Sequence, residues 1–333
     1  MASADLTRVA IVREATPGVT PANPAFQLLR ITSESLTYTA ETALSNELNE
    51  NRMVTDVIVT GGQSGGDISF EVSSNPGFEL LLEGCLANLW SGNELWVGKS
   101  LLTHTIEKRF TLNEDAVDPL DRYEYNRFAR SLVDSMALTF SPGGPATGSV
   151  SMLGGPMTRD EADLAGATYL DAGKLPVIAG AGVLPVSFIV ETVPYEAWCV
   201  SNLVINFRNN GRAIACLGQE SASEVVLGRF ECELSADIYL ENDTDVLMDA
   251  FLDRTEIEFE VTATDAQGNA YKFAFSRVRV SACSEVAGGT NQDVVMNVTL
   301  QALIDDITTL AGPDESCVLI TRTHVTTPWP EGV

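Results

Sequence analysis

The sequence predicts an α+β chain, mainly antiparallel β, built as two tandem units that each carry one flanking helix. Three observations predict it. Apolar and polar residues alternate over many short stretches, the signature of half-buried strands. Two stretches switch to helical spacing instead. And a strand followed by a helix occurs twice in the same order, which reads as an internal duplication.

The first copy of that pair opens with Gly66-Asp67-Ile68-Ser69-Phe70-Glu71-Val72-Ser73, and the second with Gly228-Arg229-Phe230-Glu231-Cys232-Glu233-Leu234-Ser235. Both start on Gly, alternate and end on Ser. The helix follows as Glu79-Leu80-Leu81-Leu82-Glu83-Gly84-Cys85-Leu86, matched column by column by Asp245-Val246-Leu247-Met248-Asp249-Ala250-Phe251-Leu252. In the first copy the helix is expected over 76–89, with Pro76 in its first turn. In the second it is expected over 243–253, with Asp243 and Thr244 supplying cap chemistry.

Taken in order, residues 1–30 read as an N-terminal arm, kept extended by Pro17, Gly18, Pro21 and Pro24, with one possible short strand at Val9 to Val12. The first unit is placed at 31–157. It begins with a strand at Ile31 to Tyr38, then a polar excursion at 42–56, then strands at 57–60 and 66–73 around a glycine-rich connection. After the helix come a strand at Leu101 to Leu112, an acidic loop at 113–121, and a hairpin of Tyr123 to Phe140 with Gly148 to Leu153.

Residues 158–196 read as a linker. The second unit, at 197–312, repeats the plan. Val200 to Phe207 alternates as Ile31 to Tyr38 does, a second polar excursion fills 212–226, and strand and helix follow. Glu256 to Thr262 is the cleanest alternating strand in the chain, and Asp265 to Asn269 turns it into Tyr271 to Val280. Val294 to Leu303 closes the copy. Residues 313–333 are a tail with one possible strand at Val318 to Arg322. Strands and helices do not alternate as a nucleotide-binding parallel sheet requires.

Composition narrows the function. The chain has 333 residues, 45% of them hydrophobic, which is enough for two ordinary domains. With 46 acidic residues against 20 basic ones, the formal charge is −26. A nucleic-acid backbone binder or a ligand of anionic membranes needs the opposite balance. An acidic surface serves solubility, or else forms a like-charged wall to which DNA does not stick. Six cysteines without a CxxC pair read as buried free thiols of a reducing cytoplasm. Met1 to Glu14 lacks the pattern of a secretory signal, and the apolar window Val177 to Val190 is too short and too broken to span a bilayer.

Chemistry is sparse. Gly62-Gln63-Ser64-Gly65-Gly66 fits the pattern of a hydrolase nucleophile turn, but a strand follows where a helix is needed. The two histidines, His104 and His324, fall in a predicted strand and in the tail. No run has calcium-loop spacing, and the glycine cluster lacks the Lys-Ser/Thr ending of a phosphate loop. Asp305-Asp306 and Glu114-Asp115 read as solvated charges, and the sequons at Asn242 and Asn297 carry no weight without a secretory signal. The expectation is no enzyme, no metal and no cofactor. Glu256, Glu258 and Glu260 share one strand face; that face is either plainly solvated or part of a negative wall.

The order of features across residues 8–305 resembles the major tail tube proteins of long-tailed bacteriophages. The resemblance rests on Arg13-Glu14-Ala15-Thr16-Pro17-Gly18, on Ile31 to Tyr38 followed by Glu41-Thr42 and Ser45-Asn46-Glu47, and on Arg52. It continues through Gly66 to Glu71, the leucine-rich helix ending near Leu89-Trp90, Val133 to Phe140 with its Gly148 partner, Gly268 to Tyr271, and Gln292-Asp293-Val294.

It implies a β-sandwich or small barrel flanked by a helix, in copies that form rings stacked into a hollow, negatively lined tube through which the genome passes. Two units per chain imply trimeric rings of approximate six-fold symmetry, with hexameric rings as the alternative. The implied partners are the chain itself and the tape measure, tail terminator and baseplate or tip proteins. DNA would slide through without specific binding, and no membrane is involved. The protein would be made in the host bacterial cytoplasm and end in the virion tail. Inter-ring contacts are expected from Glu47, Arg52, Asp56, Arg212, Glu220 and Glu224, and lumen charge from Glu256, Glu258 and Glu260. A non-viral self-assembling or adhesive β-protein is the other class that fits.

Overall fold

The computed structural model describes residues 3–113, 122–173, 176–177, 186–196, 198–216, 219, 221–222, 224–309 and 312–325. The predicted acidic loop at 113–121, with Glu114-Asp115, falls almost wholly outside these, as does Glu220.

A single 3-10 turn at Ala4–Leu6 leads into β1 (Arg8–Arg13), β2 (Ala25–Leu28), β3 (Ile31–Glu34), β4 (Thr37–Leu44) and β5 (Val57–Glu71). Then come α1 (Pro76–Leu86), β6 (Glu94–Trp96), β7 (His104–Thr111), β8 (Tyr123–Phe140) and β9 (Thr147–Gly154). The middle of the chain gives β10 (Met157–Asp160), β11 (Thr168–Leu170), β12 (Ser187–Val190) and β13 (Val193–Tyr195). The next strands are β14 (Val200–Arg208), β15 (Arg212–Ile214), β16 (Glu224–Val226) and β17 (Glu231–Tyr239). The chain closes with α2 (Asp245–Asp253), β18 (Glu256–Thr264), β19 (Ala270–Ala287), β20 (Val294–Ala302), β21 (Asp305–Thr309), β22 (Gly312–Ser316) and β23 (Leu319–Thr323). The fold is mostly antiparallel β with two helices among the described residues, as the alternation predicts.

One order of pairings runs twice. β3 and β4 pair with β5, β5 with β9, β9 with β8, β8 with β7, and β7 with β1. In the same order β14 pairs with β17, β17 with β20, β20 with β19, β19 with β18, and β18 with β12. Even the bulges recur. They lie between Ile31/Ser33 and Val200/Asn202, between Val133/Ser135 and Val280/Ala282, and between His104/Ile106 and Ile257/Phe259. A bulge inserts a residue and re-aims the strand, so three coincident bulges fix a residue-by-residue correspondence. Both helices end on a left-handed residue, Ala87 and Arg254.

That correspondence matches Ile31 to Tyr38 with Val200 to Phe207, as the alternation suggests. It corrects the strand match further on. Ile68 faces Val150 and Ala236 faces Val298, so Ile68 corresponds to Ala236 and not to Phe230. A slip of an even number of residues leaves a period-2 pattern intact, so the sequence alone does not distinguish the glycine-led alignment from the true one. Gly228 lies before β17 begins.

Other expectations change with burial. Residues 8–13 and 25–28, read as arm, are sheet strands, and Val9, Ala10, Ile11 and Phe26 are buried. The stretch 158–196, read as linker, carries β11, β12 and β13 and the end of β10. In the tail, β23 lies between β19 and β6. Gly62 to Gly66 is strand interior within β5, not a connection: Tyr38 lies over Gly62, and Gly66 has φ +136 with the Ser35 carbonyl where a side chain would stand. Thr244 makes no side-chain cap to α2; its hydroxyl donates to the Glu241 carbonyl at 2.9 Å instead. Asn75 is the effective cap on α1, accepting from the Phe78 N–H at 2.9 Å.

One apolar core takes residues from both halves. It holds Ile68, Phe70, Leu81 and Leu138 together with Phe207, Leu234, Phe259 and Phe273. β8 and β14 pair along 135–140 and 203–208, so the two ladders join into a continuous sheet.

Candidate assembly surfaces

The most conspicuous surface is the hairpin of β4 and β5. Its register runs from Thr37 opposite Gly65 to Leu44 opposite Val57, and residues 45–56 form its tip. Leu44, Leu48, Met53, Val54, Val57, Ile58 and Val59 are exposed on it, Leu48 at 99%. Asn49 organises the tip: its amide donates to the Met53 carbonyl at 2.6 Å and its carbonyl accepts from the Asn51 N–H at 3.0 Å. An ordered arm covered in aliphatic side chains is unusual for a monomer surface.

From the sequence, the contacts of this stretch are expected from its charges. Glu47, Arg52 and Asp56 are indeed exposed at the tip, with Arg52 at positive φ and Asp56 accepting from the Val57 N–H at 2.8 Å. The aliphatic residues were missed. Their signal was the run Val57-Ile58-Val59, a strand apolar on both faces with no second layer to cover it.

The second excursion behaves differently. Arg212 and Glu224 sit at opposite ends of the short ladder of β15 and β16 and are exposed. This excursion folds back onto the chain: the Ala222 N–H donates to the Gly62 carbonyl at 3.0 Å, and Arg130 donates to the Ala222 carbonyl at 3.1 Å. Ala222 and Val225 are buried there.

The face of Glu256, Glu258 and Glu260 is largely compensated. Glu256 accepts from Arg277 at 2.8 Å and from Arg279 at 2.7 Å, and Glu260 pairs with Lys272 at 2.8 Å. The Arg277 hydrogen bond holds the Glu256 carboxyl below its ordinary range. Glu258 stands exposed between them.

Inside, ionisable groups act as braces. Glu79 of α1 accepts from Arg322 and from the Tyr271 hydroxyl at 3.2 Å, and lies 3.0 Å from His324. Arg322 also stacks over Trp90. Glu83 pairs with Arg13 at 2.9 Å, while burial pushes its carboxyl above the ordinary range. Glu14 accepts from the Thr103 and Thr105 hydroxyls and from the Gly18 and Arg130 N–H groups. Ser64, the serine of the Gly62 to Gly66 pattern, is 1% exposed in the middle of β5. His104 is fully buried, and burial lowers its pKa to about 4.

No helix of the described residues is long and apolar enough to cross a membrane. No curated protein matches the chain. A family model described as phage tail tube protein matches residues 4–302, nearly the whole length. The exposed aliphatic hairpin accords with a family of structural tail proteins. The chain belongs to the phage tail tube protein family.

Proposed function

We propose that copies of this chain close into rings that stack into the hollow tube of a long phage tail, the conduit for genome delivery. The exposed aliphatic arm of β4 and β5 carries this reading, because a neighbouring ring is the cover that such an arm requires. Glu47, Arg52 and Asp56 at its tip supply polar contacts around an apolar centre, the usual anatomy of a protein interface. Arg212 and Glu224 serve the same junction from the folded-back excursion, with Glu220 between them in sequence.

Each chain supplies two equivalent units, one running from β1 to β9 and the other from β12 to β20, so three copies complete a ring of approximate six-fold symmetry. The twofold run of pairings and bulges supports this count. With a formal charge of −26, the channel repels the DNA backbone and offers it no sticky site. Of the three strand glutamates, Glu258 contributes most to that wall, since Glu256 and Glu260 are paired. The tube would form in the host cytoplasm around the tape measure protein and be closed by terminator and tip proteins.

The test is a triple variant, Leu48→Ser, Val54→Ser and Ile58→Ser. It should leave the melting temperature unchanged and abolish tubes in electron micrographs of concentrated protein. Tubes of normal length from that variant would overturn the stacking role of the arm.

A further inference from the structure

β8 and β14 show how one unit joins the next within the chain. Leu203 to Arg208 pairs with Phe140 to Ser135, and the Asn209 N–H donates to the Asp134 carbonyl at 2.7 Å. That bond sets the step of the ladder: residues 203, 205 and 207 point their backbone groups at β8.

Applied to the corresponding strands, the same geometry leaves two edges without a second strand partner among the described residues. β14 corresponds to 31–39, whose ladders among the described residues run only to β5. The Ser35 N–H donates inward to the Asp67 carbonyl at 2.9 Å, so Glu34, Leu36 and Tyr38 point outward, as Leu203, Ile205 and Phe207 do. The end of β8 corresponds to the end of β19. There 282–287 pair with β20 on one side and with no described strand on the other, and these residues are largely exposed. Exposed long edges are otherwise avoided, because they invite pairing.

We propose that these two edges join copies of the chain into the ring. Residues 282–287 of one copy add antiparallel to 34–39 of the next, with Ala287 opposite Glu34, Glu285 opposite Leu36 and Ser284 opposite Thr37. The proposal rests on the ring reading above and supplies its in-ring joint.

Two further features fit. A groove of about 610 Å³ runs beside β3, lined by Ser3, Asp5, Ile31, Ser33 and Phe110, where the tip of the β19–β20 hairpin would arrive. And α1, covered by Tyr271 of the second unit and Arg322 of the tail, is buried from Gly77 to Leu86, whereas its counterpart α2 leaves Leu252 66% exposed, a face that the next copy would cover. In the single chain the outward groups of Leu36 are held by side chains. Its N–H donates to Glu34 at 3.0 Å and its carbonyl accepts from Lys108 at 2.7 Å. The incoming Glu285 backbone displaces both, and its carboxylate comes toward Lys108.

The register makes a sharp test. Directly opposed Cα atoms in an antiparallel pair are about 4.5–5.5 Å apart, within disulfide reach, while diagonal ones at about 7–8 Å are not. Thr37→Cys with Ser284→Cys should therefore give, under mild oxidation of concentrated protein, covalent trimers with a 37–284 disulfide identified by mass spectrometry. Thr39→Cys with Ser284→Cys should give none. Glu285→Pro, which removes an outward N–H and leaves the β20 ladder intact, should fold with an unchanged circular dichroism spectrum and form no rings. Rings or tubes without the 37–284 disulfide, or formed equally by Glu285→Pro, would overturn the pairing and leave the tube reading standing. Monomers alone at every concentration, without the disulfide, would overturn both.

Discussion

Ile205 stands directly opposite Leu138 in the ladder that joins β14 to β8, and both are fully buried. This cross-strand pair ties the two runs of the fold into one core, so each half borrows apolar cover from the other. Leu138→Ala should cost about 3 kcal/mol, a transfer loss plus a cavity the sheet cannot collapse, whereas Ile205→Val should cost about 1 kcal/mol. Urea unfolding of both variants checks this. A single transition should persist in each, because the core is shared.

The brace between Glu79 and Arg322 makes a second prediction. Arg322→Met removes the cation from a buried carboxylate and should destabilise the fold by about 3 kcal/mol. Glu79→Gln added to Arg322→Met should recover part of that loss, since a neutral amide still meets the Tyr271 hydroxyl. Thermal melts of the single and double variants separate the pair energy from the cost of an orphaned charge.

Much of this fold is legible in the sequence, and the failures have physical causes. Ile31 to Tyr38 and Val200 to Phe207 advertise their equivalence because each has one buried face. Glu256 to Thr262 reads as a strand for the same reason. Gly62 to Gly66 does not, because glycines carry no side chain with which to alternate, although β5 runs straight through them. Residues 8–13 are buried on both faces, which erases alternation altogether. The partners of Glu79 and Glu83 are not legible, because Arg322 and Arg13 are distant in sequence and meet them only in the fold. The β4–β5 hairpin is legible as an excursion, but the charges at its tip mask its aliphatic side chains.

His104 supplies a pH prediction. Its folded pKa of about 4 lies below the ordinary value of 6.5, so the unfolded chain binds the proton more readily. Its contribution is complete above pH 6.5 and is lost as pH falls toward 4, by about 3 kcal/mol in all. His104→Leu, which keeps the volume and has nothing to protonate, should lose less stability than the wild type between pH 6.5 and 4. Parallel acid-dependent melting curves for the two proteins would contradict this.

Gly66→Ala should be costly for two reasons at once. The residue sits at φ +136, and its added Cβ would meet the Ser35 carbonyl at 2.5 Å. A loss of about 2 kcal/mol or more is expected from strain and clash together. Gly143→Ala, at φ +88 in open space, should lose only about 1 kcal/mol. Chemical denaturation of the pair distinguishes backbone strain from overlap.

The ring is the centre of the proposed assembly. Class averages of assembled protein by cryo-electron microscopy, with copies per ring counted by fitting the chain, test it most directly. Hollow rings of three chains, each chain filling two adjacent and nearly equivalent positions, are the predicted result. Rings of six chains, or particles with no central channel, would contradict it.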